Sequence, residues 1–576
     1  MAIEAPARET KTRPSRVCQV TGLTLDRSAE TLVKLNAVTA VVFLLLGAIA
    51  AILLGLTRWQ AVHLLDANWY YRLVTFHGIN MLVFWIVFFE MAGLVFASTV
   101  VLSSRQVLPK LAYAAYALML AGTLLVNGVV LFGPFDQASV MFTAYPPLKS
   151  HPLFYLGLIL FAVGALLVCL LFFLNVVEAR RSGASTGPLP LFTYGLGAAA
   201  TIAVFTLVHG AITMIPAFLW SVGLIDAVDP AVYRLTFWGF GHPAQQVNLC
   251  AMVAIWYLLS TLTVGGKAVN EKVSRTAFLL YVLFINLGSA HHVLVDPGFS
   301  GAWKIFNTSY AMSRAVFASL VHALSIPASV EVAQRRSGFG AGFFQWLRKA
   351  PWKNPAFSAM ALSLAIFGFL GGVSGVIIGT EQVNLRVHNT LRVPGHFHST
   401  VVGGTTLAFM GLTYYVIPLV FRREWWSARL ARVQPWLFAA GITVLSISMT
   451  GLGALGHPRR HWDVTFAGSV LPATLLDSTA RALQAGLGIG GVVAFLGVLI
   501  FAANAVATLL LGKRVEGRPA FPPIAPLAPA ADTAAAGEHR RFPAPGVLVL
   551  VVLFLVFFIA VYAANWFALS KAWGIG

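Results

Sequence analysis

The sequence predicts an all-α integral membrane protein, a bundle of about thirteen transmembrane helices. Of its 576 residues, 58% are hydrophobic and only 10% are charged, and the mean hydropathy is +0.80. This composition excludes a set of ordinary soluble domains, which need more charged surface. Apolar runs of about 20 residues, long enough to cross a bilayer as a helix, recur along almost the whole chain. Basic residues collect in alternate loops between these runs.

The predicted segments follow one another along the chain with little interruption. Residues 1–33 are polar and form a predicted cytoplasmic segment, and residues 34–512 contain a predicted core of twelve helices. Residues 513–544 are rich in Pro and Ala, which is typical of a flexible linker. They precede an additional predicted transmembrane helix within residues 545–576. The apolar runs lie near 34–57, 72–102, 110–133, 152–176, 190–215, 233–261, 275–294, 302–331, 356–380, 389–421, 434–455, 480–512 and 545–570.

The net charge of +19 reflects membrane topology and does not indicate a nucleic-acid partner. Most of the 39 Lys and Arg residues fall in the N-terminal segment and in every second loop, as in the pairs Arg180–Arg181 and Arg335–Arg336. Cytoplasmic loops of membrane proteins carry such an excess of basic residues. We therefore expect the N-terminus in the cytoplasm and, after thirteen spans, the C-terminus outside, with lipid around the bundle.

The cysteines do not form a redox site of their own. Cys18, Cys169 and Cys250 are isolated, without a CxxCH motif for covalent heme or a Cys pair for a binuclear copper centre. The cysteines therefore predict neither a covalently bound heme nor a binuclear copper site.

Histidines in and beside the apolar runs are the strongest chemical signal. His396 and His398 are two residues apart, so on a helix their side chains point about 200° apart and can serve two metal centres at once. The other candidate metal ligands are His77 in FHGINM, His242 in FGHPAQQ, and His291 and His292 in SAHHVLVDPG. Buried polar groups in a membrane usually mark function. Six such histidines are enough to ligate two hemes and a third metal.

Four motifs resemble the catalytic subunit (subunit I) of the heme-copper oxidoreductase superfamily. They are HGxxM in the second span, GHP in the sixth, HH followed by DPG after the seventh, and VHNTxxVPGHFH into the tenth. The resemblance covers spans from 34 to 512. The residues within these motifs are most similar to those of the B-type branch, which tends to carry a thirteenth helix. It implies the plasma (inner) membrane of a bacterium or archaeon. It also implies a donor that is a cupredoxin-type or cytochrome c subunit, or quinol.

The resemblance assigns a role to each histidine. His77 and His398 would be the axial ligands of a low-spin heme, and His396 the proximal ligand of a high-spin heme. The metal opposite the high-spin iron would be held by three further residues: His242, His291 and His292. Neutral imidazoles suit heme iron and copper alike. The motifs leave open whether the hemes are of a or b type.

Basic residues outside the spans are candidates for binding heme propionates. Arg459 and Arg460 in GHPRRHWD resemble the propionate clamp of the superfamily. His388 lies in the loop expected to cover the hemes, with Arg386 and Arg392 nearby. Four residues before His388 the B-type pattern usually has Asp; this chain has Asn384.

The expected substrate depends on a tyrosine that this chain lacks. In most oxidases of the superfamily a cross-linked tyrosine follows the span-six His by four residues, but here that residue is Gln246. Another branch has the tyrosine six residues before the HH pair, where this chain has Ile285; Tyr281 is a poor match, expected to be a packing residue. Splitting O₂ without releasing peroxide takes four electrons, one of them from that tyrosine. Coupling two NO molecules to nitrous oxide and water takes two.

The second metal is expected to be copper, with non-heme iron as the less favoured choice. No Glu lies beside the three-His motifs, where Gln245 and Gln246 are the nearest polar residues, and neutral histidines without a carboxylate suit copper. Gln246 is expected to donate a hydrogen bond to bound NO; the alternative is a space-filling role. The sequence thus favours a nitric oxide reductase, with a terminal oxidase as the alternative from the same family.

Proton delivery is expected to differ from that of B-type relatives. Ala318 and Val321 stand where B-type relatives have hydroxyls on span eight. Glu90 and Arg314 are intramembrane charges without a motif, hence candidates for function. His322, like His209, is expected to be a packing residue.

A transporter that uses buried His and Arg as a proton relay would leave the paired motifs unexplained and would purify without heme absorbance.

Overall fold

The computed structural model describes residues 15–17, 24–134, 146–465, 475–515 and 542–573. Within these ranges it has thirteen helices long and apolar enough to cross a membrane, as predicted. They are α1 (Arg27–Arg58), α2 (Ala67–Val100), α3 (Pro109–Phe132), α4 (Pro152–Arg181), α5 (Leu191–Ser221), α6 (Pro230–Val264), α7 (Glu271–Val293), α8 (Gly301–Arg336), α9 (Pro355–Ile378), α10 (Arg392–Phe421), α11 (Ala428–Ala454), α12 (Ser478–Leu511) and α13 (Pro545–Lys571).

The N-terminal part adds a feature that hydropathy does not reveal. A two-stranded antiparallel sheet pairs β1 (Ser15–Val17) with β2 (Thr24–Asp26). Asp26 then caps α1, since its side chain accepts a hydrogen bond from the amide of Ala29. α1 therefore begins at Arg27, inside the predicted polar segment, of which residues 1–14 and 18–23 lie outside the described ranges.

The C-terminal boundaries lie close to the predicted ones. α12 ends at Leu511, and α13 begins at Pro545. Of the predicted linker, residues 516–541 lie outside the described ranges. The division into core, linker and additional helix therefore stays a prediction.

The helices differ widely in burial, and the most buried ones carry the candidate ligands. Of the most apolar stretch in each helix, 89% is buried in α10, 83% in α2 and 78% in α6, but only 6% in α13. Because an apolar helix surface needs no protein cover in lipid, the exposed helices are stable at the periphery of the bundle. His77 on α2, His242 on α6, and His396 and His398 on α10 therefore lie on the central helices.

Two local irregularities occur where the ligands lie. α7 ends in a tight 3₁₀ turn, Gly288–Val293, which carries His291 and His292. α10 widens into i→i+5 turns over His398–Thr406, a segment that begins at the second His of the HFH motif. Wide turns of this kind are rare in helices and occur often at functional sites.

Candidate metal and heme centre

Three histidines form one metal-binding group. His242 on α6 and His291 and His292 at the end of α7 place one ligand atom each within 4.8 Å of the others. Nδ1 of His242 lies 3.1 Å from Nε2 of His292. Two nitrogens at about 2 Å from one metal, at roughly tetrahedral angles, are separated by about this distance. The three residues therefore fit a single copper ion.

Neighbouring groups fix the orientation of this cluster. The Nδ1 of His291 lies 2.8 Å from the carbonyl oxygen of Gly288, which leaves Nε2 as the lone-pair nitrogen of a neutral ring. The indole of Trp238 stacks on His292 with ring centroids 4.0 Å apart and an interplanar angle of 1°. Arg234 and Asp296 form a bidentate ion pair, with N–O distances of 2.6 and 3.0 Å, that joins the start of α6 to the segment after α7.

His77 and His398 face each other across a gap of the right size for one heme iron. Their ring centroids are 6.2 Å apart and the planes differ by 18°. Two metal–nitrogen bonds of about 2 Å, plus the half-widths of two rings, come to about 6 Å. Each Nδ1 lies near a carbonyl oxygen, that of Gly47 at 3.0 Å and that of Pro394 at 2.8 Å. Both Nε2 atoms are thereby available to the metal.

His396 is oriented by α9, a different neighbour. Its Nδ1 lies 3.0 Å from the carbonyl oxygen of Gly371 and 3.1 Å from the hydroxyl of Ser374. A Cβ at Gly375 would come within 2.8 Å of the ring, so glycine is needed there for the imidazole to pack. The opposite directions expected for His396 and His398 therefore correspond to different sets of partners.

The two predicted propionate arginines lie on the loop after α11, which folds over the start of α10. The amide of Arg459 donates to the carbonyl oxygen of Asn389 at 2.8 Å, and Arg58 donates to the carbonyl oxygens of Pro458 and Arg459. Arg460 follows directly on the same loop. These contacts hold the arginine pair beside the segment that precedes the HFH motif.

His388 lies within the electrostatic reach of that pair. Its Nδ1 is 3.3 Å from the side-chain oxygen of Asn384. Burial lowers the pKa of His388; Asp296 raises it, and Arg459, Arg234 and Arg460 lower it. The net direction is downward, which keeps the imidazole neutral near pH 7.

The residues at the two tyrosine positions lie as the sequence places them. Gln246 is half-buried, one helical turn after His242 on α6. Ile285 is buried on α7, and the hydroxyl of buried Tyr281 lies 2.9 Å from that of Ser319. The three-His group, within the described ranges, includes no carboxylate.

The remaining intramembrane candidates have contrasting surroundings. Glu90 is buried and its Oε1 has no hydrogen-bond partner within the described ranges. Arg314 is exposed, with its guanidinium 5.4 Å from the ring centre of Tyr310. The Nδ1 of His209 lies 3.0 Å from a backbone carbonyl oxygen of its own helix, and its ring packs against Gly239 on α6.

His322, expected to be a packing residue, belongs to a buried group of hydroxyls between α6, α7 and α8. Its Nδ1 lies 3.0 Å from the hydroxyl of Tyr257, which donates to Ser274 at 3.0 Å. Ser274 is 3.2 Å from Ser325. Motif reading missed this group because its members come from three helices and share no local pattern.

Comparison with known proteins identifies the family of the chain. Residues 31–476 match the family described as "Cytochrome C and Quinol oxidase polypeptide I". The chain is 34% identical over 397 residues to cytochrome c oxidase subunit 1 of Thermus thermophilus, covering 68% of this chain and 69% of the relative. It is 24% identical over 517 residues to the alternative cytochrome c oxidase subunit 1 of Bradyrhizobium diazoefficiens, covering 82% and 81%.

A solved structure extends the likeness to the whole bundle. The cryo-EM structure of a heme-copper terminal oxidase dimer superimposes with a TM-score of 0.79 at 25% identity, covering 94% of this chain and 92% of that one. The fold and the histidine centre define a membrane-bound oxidoreductase. The chain belongs to the cytochrome c and quinol oxidase polypeptide I family, that is, to subunit I of the heme-copper superfamily. Two hemes and a copper ion at a three-His site, as predicted, are the cofactors of this family.

Proposed function

We propose that this chain is the catalytic subunit of a nitric oxide reductase, which converts two NO molecules to nitrous oxide and water. The observation that supports the proposal is Gln246, one turn after His242, where the resemblance leads us to expect a tyrosine. The second expected position holds Ile285, and the hydroxyl of Tyr281 is engaged with Ser319. This chain thus offers no phenol at either position to supply a fourth electron for O₂.

The ligand roles are part of the proposal. His77 and His398 hold a low-spin heme that receives electrons, and His396 holds the high-spin heme. The copper is held by His242, His291 and His292. When bound, these cofactors supply the two electrons that the coupling of two NO molecules requires.

The composition of the three-His group supports copper and gives Gln246 a task. Within the described ranges the group includes no carboxylate, and neutral imidazoles without a hard oxygen ligand suit copper better than non-heme iron. Because an amide cannot give up a hydrogen atom as a phenol does, Gln246 acts by donating a hydrogen bond to NO. Such a donor stabilises negative charge that develops on the NO oxygen.

The surroundings of the bundle complete the proposal. The basic loops support an N-terminus in the cytoplasm and a C-terminus outside. Arg459, Arg460 and His388 then lie on the outer side, where the two arginines bind heme propionates. Electrons arrive from a cupredoxin-type or cytochrome c subunit, or from quinol.

A terminal oxidase is the second candidate, and the comparisons favour it. The relatives from Thermus thermophilus and Bradyrhizobium diazoefficiens are named cytochrome c oxidases, and the solved structure is described as a heme-copper terminal oxidase. In that case oxygen would be reduced to water, and a residue other than Gln246 would supply the fourth electron. Tyr281 would be the first residue to replace.

The deciding experiment compares the two gases on one preparation. Purified, heme-loaded enzyme is given NO under anaerobic conditions while nitrous oxide is measured, and oxygen uptake is recorded with the same reductant. We expect fast nitrous oxide formation and slow oxygen uptake. Rapid four-electron reduction of oxygen with negligible nitrous oxide would refute the nitric oxide reductase.

A pair of neighbouring substitutions tests the role of Gln246. Gln246→Tyr restores a phenol one turn after His242 and is expected to raise oxygen uptake relative to NO turnover. Gln245→Tyr is the matched control, because it adds the same group about 100° round the helix. Equal effects of both substitutions would show that position 246 has no special role.

The ligand assignments are tested separately from the substrate. His291→Asn should lose copper from the purified enzyme while the absorbance of the low-spin heme on His77 and His398 persists. Metal analysis and visible spectra give both readings on one sample. Retention of full copper would contradict the assignment of His291.

A further inference from the structure

A buried positive charge lies one turn before the proposed high-spin heme ligand. Arg392 is the first residue of α10 and only 8% exposed. It precedes His396 by four residues, so the two side chains lie about 40° apart on the helix and about 6 Å apart along its axis. His398, six residues on, faces a different side. Arg392 is thus closer in direction to His396 than to the low-spin heme ligand.

The partner of this charge is neutral. Nη2 of Arg392 donates to the side-chain oxygen of Asn565 on α13 at 2.5 Å. The amide nitrogen of Asn565 donates to the carbonyl oxygen of Val561 at 2.7 Å, so the amide oxygen is the atom left for the guanidinium. Among the described residues, Nε of Arg392 is buried without a hydrogen-bond partner, and no carboxylate forms an ion pair with the guanidinium. The guanidinium therefore keeps its full charge.

α13 is fixed in the position that this contact needs. Phe369 on α9 packs against Phe554 of α13, with ring centroids 5.4 Å apart. The hydroxyl of Tyr562 lies 3.4 Å from that of Thr380. α13, which is otherwise almost wholly exposed, thus places the side-chain amide of Asn565 at the start of α10.

Such a charge acts strongly on a nearby redox centre. In a protein interior the effective dielectric constant is low and salt screens little, so a unit charge acts over many ångströms. A cation disfavours the oxidised, more positive state of iron and thereby raises its reduction potential. Leaving a cation buried without an ion partner is costly, which makes the arrangement a poor way merely to join two helices.

We propose that Arg392, held charged by the neutral side chain of Asn565, raises the reduction potential of the heme bound by His396. Arg392 does not ligate the iron. It acts on the heme through space, by the electrostatic field of its guanidinium. The inference rests on the assignment of the high-spin heme to His396. It does not depend on whether NO or oxygen is the substrate.

Redox titration of the purified holoenzyme without substrate tests this proposal. The high-spin heme is followed by its carbon monoxide-binding spectrum and the low-spin heme by its absorbance. Asn565→Asp keeps the shape of the side chain but neutralises the guanidinium, and Arg392→Gln removes the charge. Both variants should lower the midpoint potential of the high-spin heme, with a smaller shift in the low-spin heme.

A conservative variant separates charge from structure. Arg392→Lys retains a cation and should keep the potential near that of the unchanged protein, even if stability falls. A high-spin potential that does not move in Asn565→Asp and Arg392→Gln would overturn the proposal. So would equal shifts in both hemes, or a shift in Arg392→Lys as large as that in Arg392→Gln. The ratio of NO to oxygen turnover is measured separately, so failure of the proposed function is distinguishable.

Discussion

Glu331→Gln is expected to weaken the attachment of α13 to the rest of the bundle. The side chain of Glu331 on α8 is fully buried, and its two oxygens accept the amides of Gly546 and Val547 at 2.9 and 2.7 Å. These are among the first amides of α13, which have no partner within their own helix. Arg335 forms an ion pair with the same carboxylate at 2.7 Å. The carboxylate thus caps one helix from another, at its positive end.

The size of the effect follows from these contacts. A hydrogen bond to a charged group contributes about 1.5–3 kcal/mol. Gln at 331 keeps one acceptor oxygen but turns an NH₂ group toward either an amide or Arg335, and it loses the ion pair. We expect the docking of α13 to weaken by about 2–4 kcal/mol, since one such bond is lost together with part of the pair. The docking equilibrium constant then falls roughly 30- to 700-fold.

Cleavage of the connecting segment measures this docking directly. A protease site inserted within residues 516–541 allows α13 to be separated covalently from the core in the purified, detergent-solubilised enzyme. After cleavage, α13 should remain with the core on size-exclusion chromatography in the unchanged protein and dissociate in Glu331→Gln. Glu271→Gln is the matched control, because its ion pair with Arg275 is more exposed and exposed pairs contribute little. Equal retention of α13 in Glu331→Gln and Glu271→Gln would refute the reasoning.

Two further predictions concern packing and pH. Gly441→Val should lower the thermal unfolding midpoint of the holoenzyme far more than Gly491→Val. A Cβ at position 441 overlaps the backbone of Ala494 on α12, whereas a Cβ at position 491 makes only ordinary van der Waals contact. Equal losses in the two variants would contradict this prediction. Because burial holds the pKa of His388 below 6.5, the unfolded state binds more protons than the folded one as pH falls below that value, so stability declines there. Thermal unfolding at pH 7.5 and 5.5 should differ less in His388→Gln than in the unchanged protein, and an unchanged difference would exclude this contribution.

Much of the site could be predicted because its signals are local. The HFH motif places His396 and His398 on different sides of one helix by the geometry of the helix alone, and the structure gives them different partners. The HH pair is likewise read from neighbouring residues. That His242 joins this pair followed from the resemblance, and the structure brings the three together.

Other features could not be predicted from the sequence. Hydropathy gives the length and composition of a segment, but it does not show which residues meet in the folded bundle. α1 begins at Arg27 because Asp26 caps it. This cap is a hydrogen bond to a residue three positions along the chain, and hydropathy does not detect it. The hydroxyl group around His322 is made by Tyr257 and Ser274 on two other helices. Nothing in the local sequence of these residues indicates that they meet.

The sequence by itself determined a helical membrane bundle, six histidines in recognisable motifs and the absence of tyrosine at position 246. These properties depend on side chains within a few residues of one another and on the free energy of placing them in lipid. Only the tertiary structure decided which carbonyl orients each imidazole. It also decided that Arg392 faces the neutral Asn565, 173 residues away, and that Glu331 caps α13, 215 residues on. Such contacts depend on how helices pack, because partners distant in the chain become neighbours only in the folded bundle.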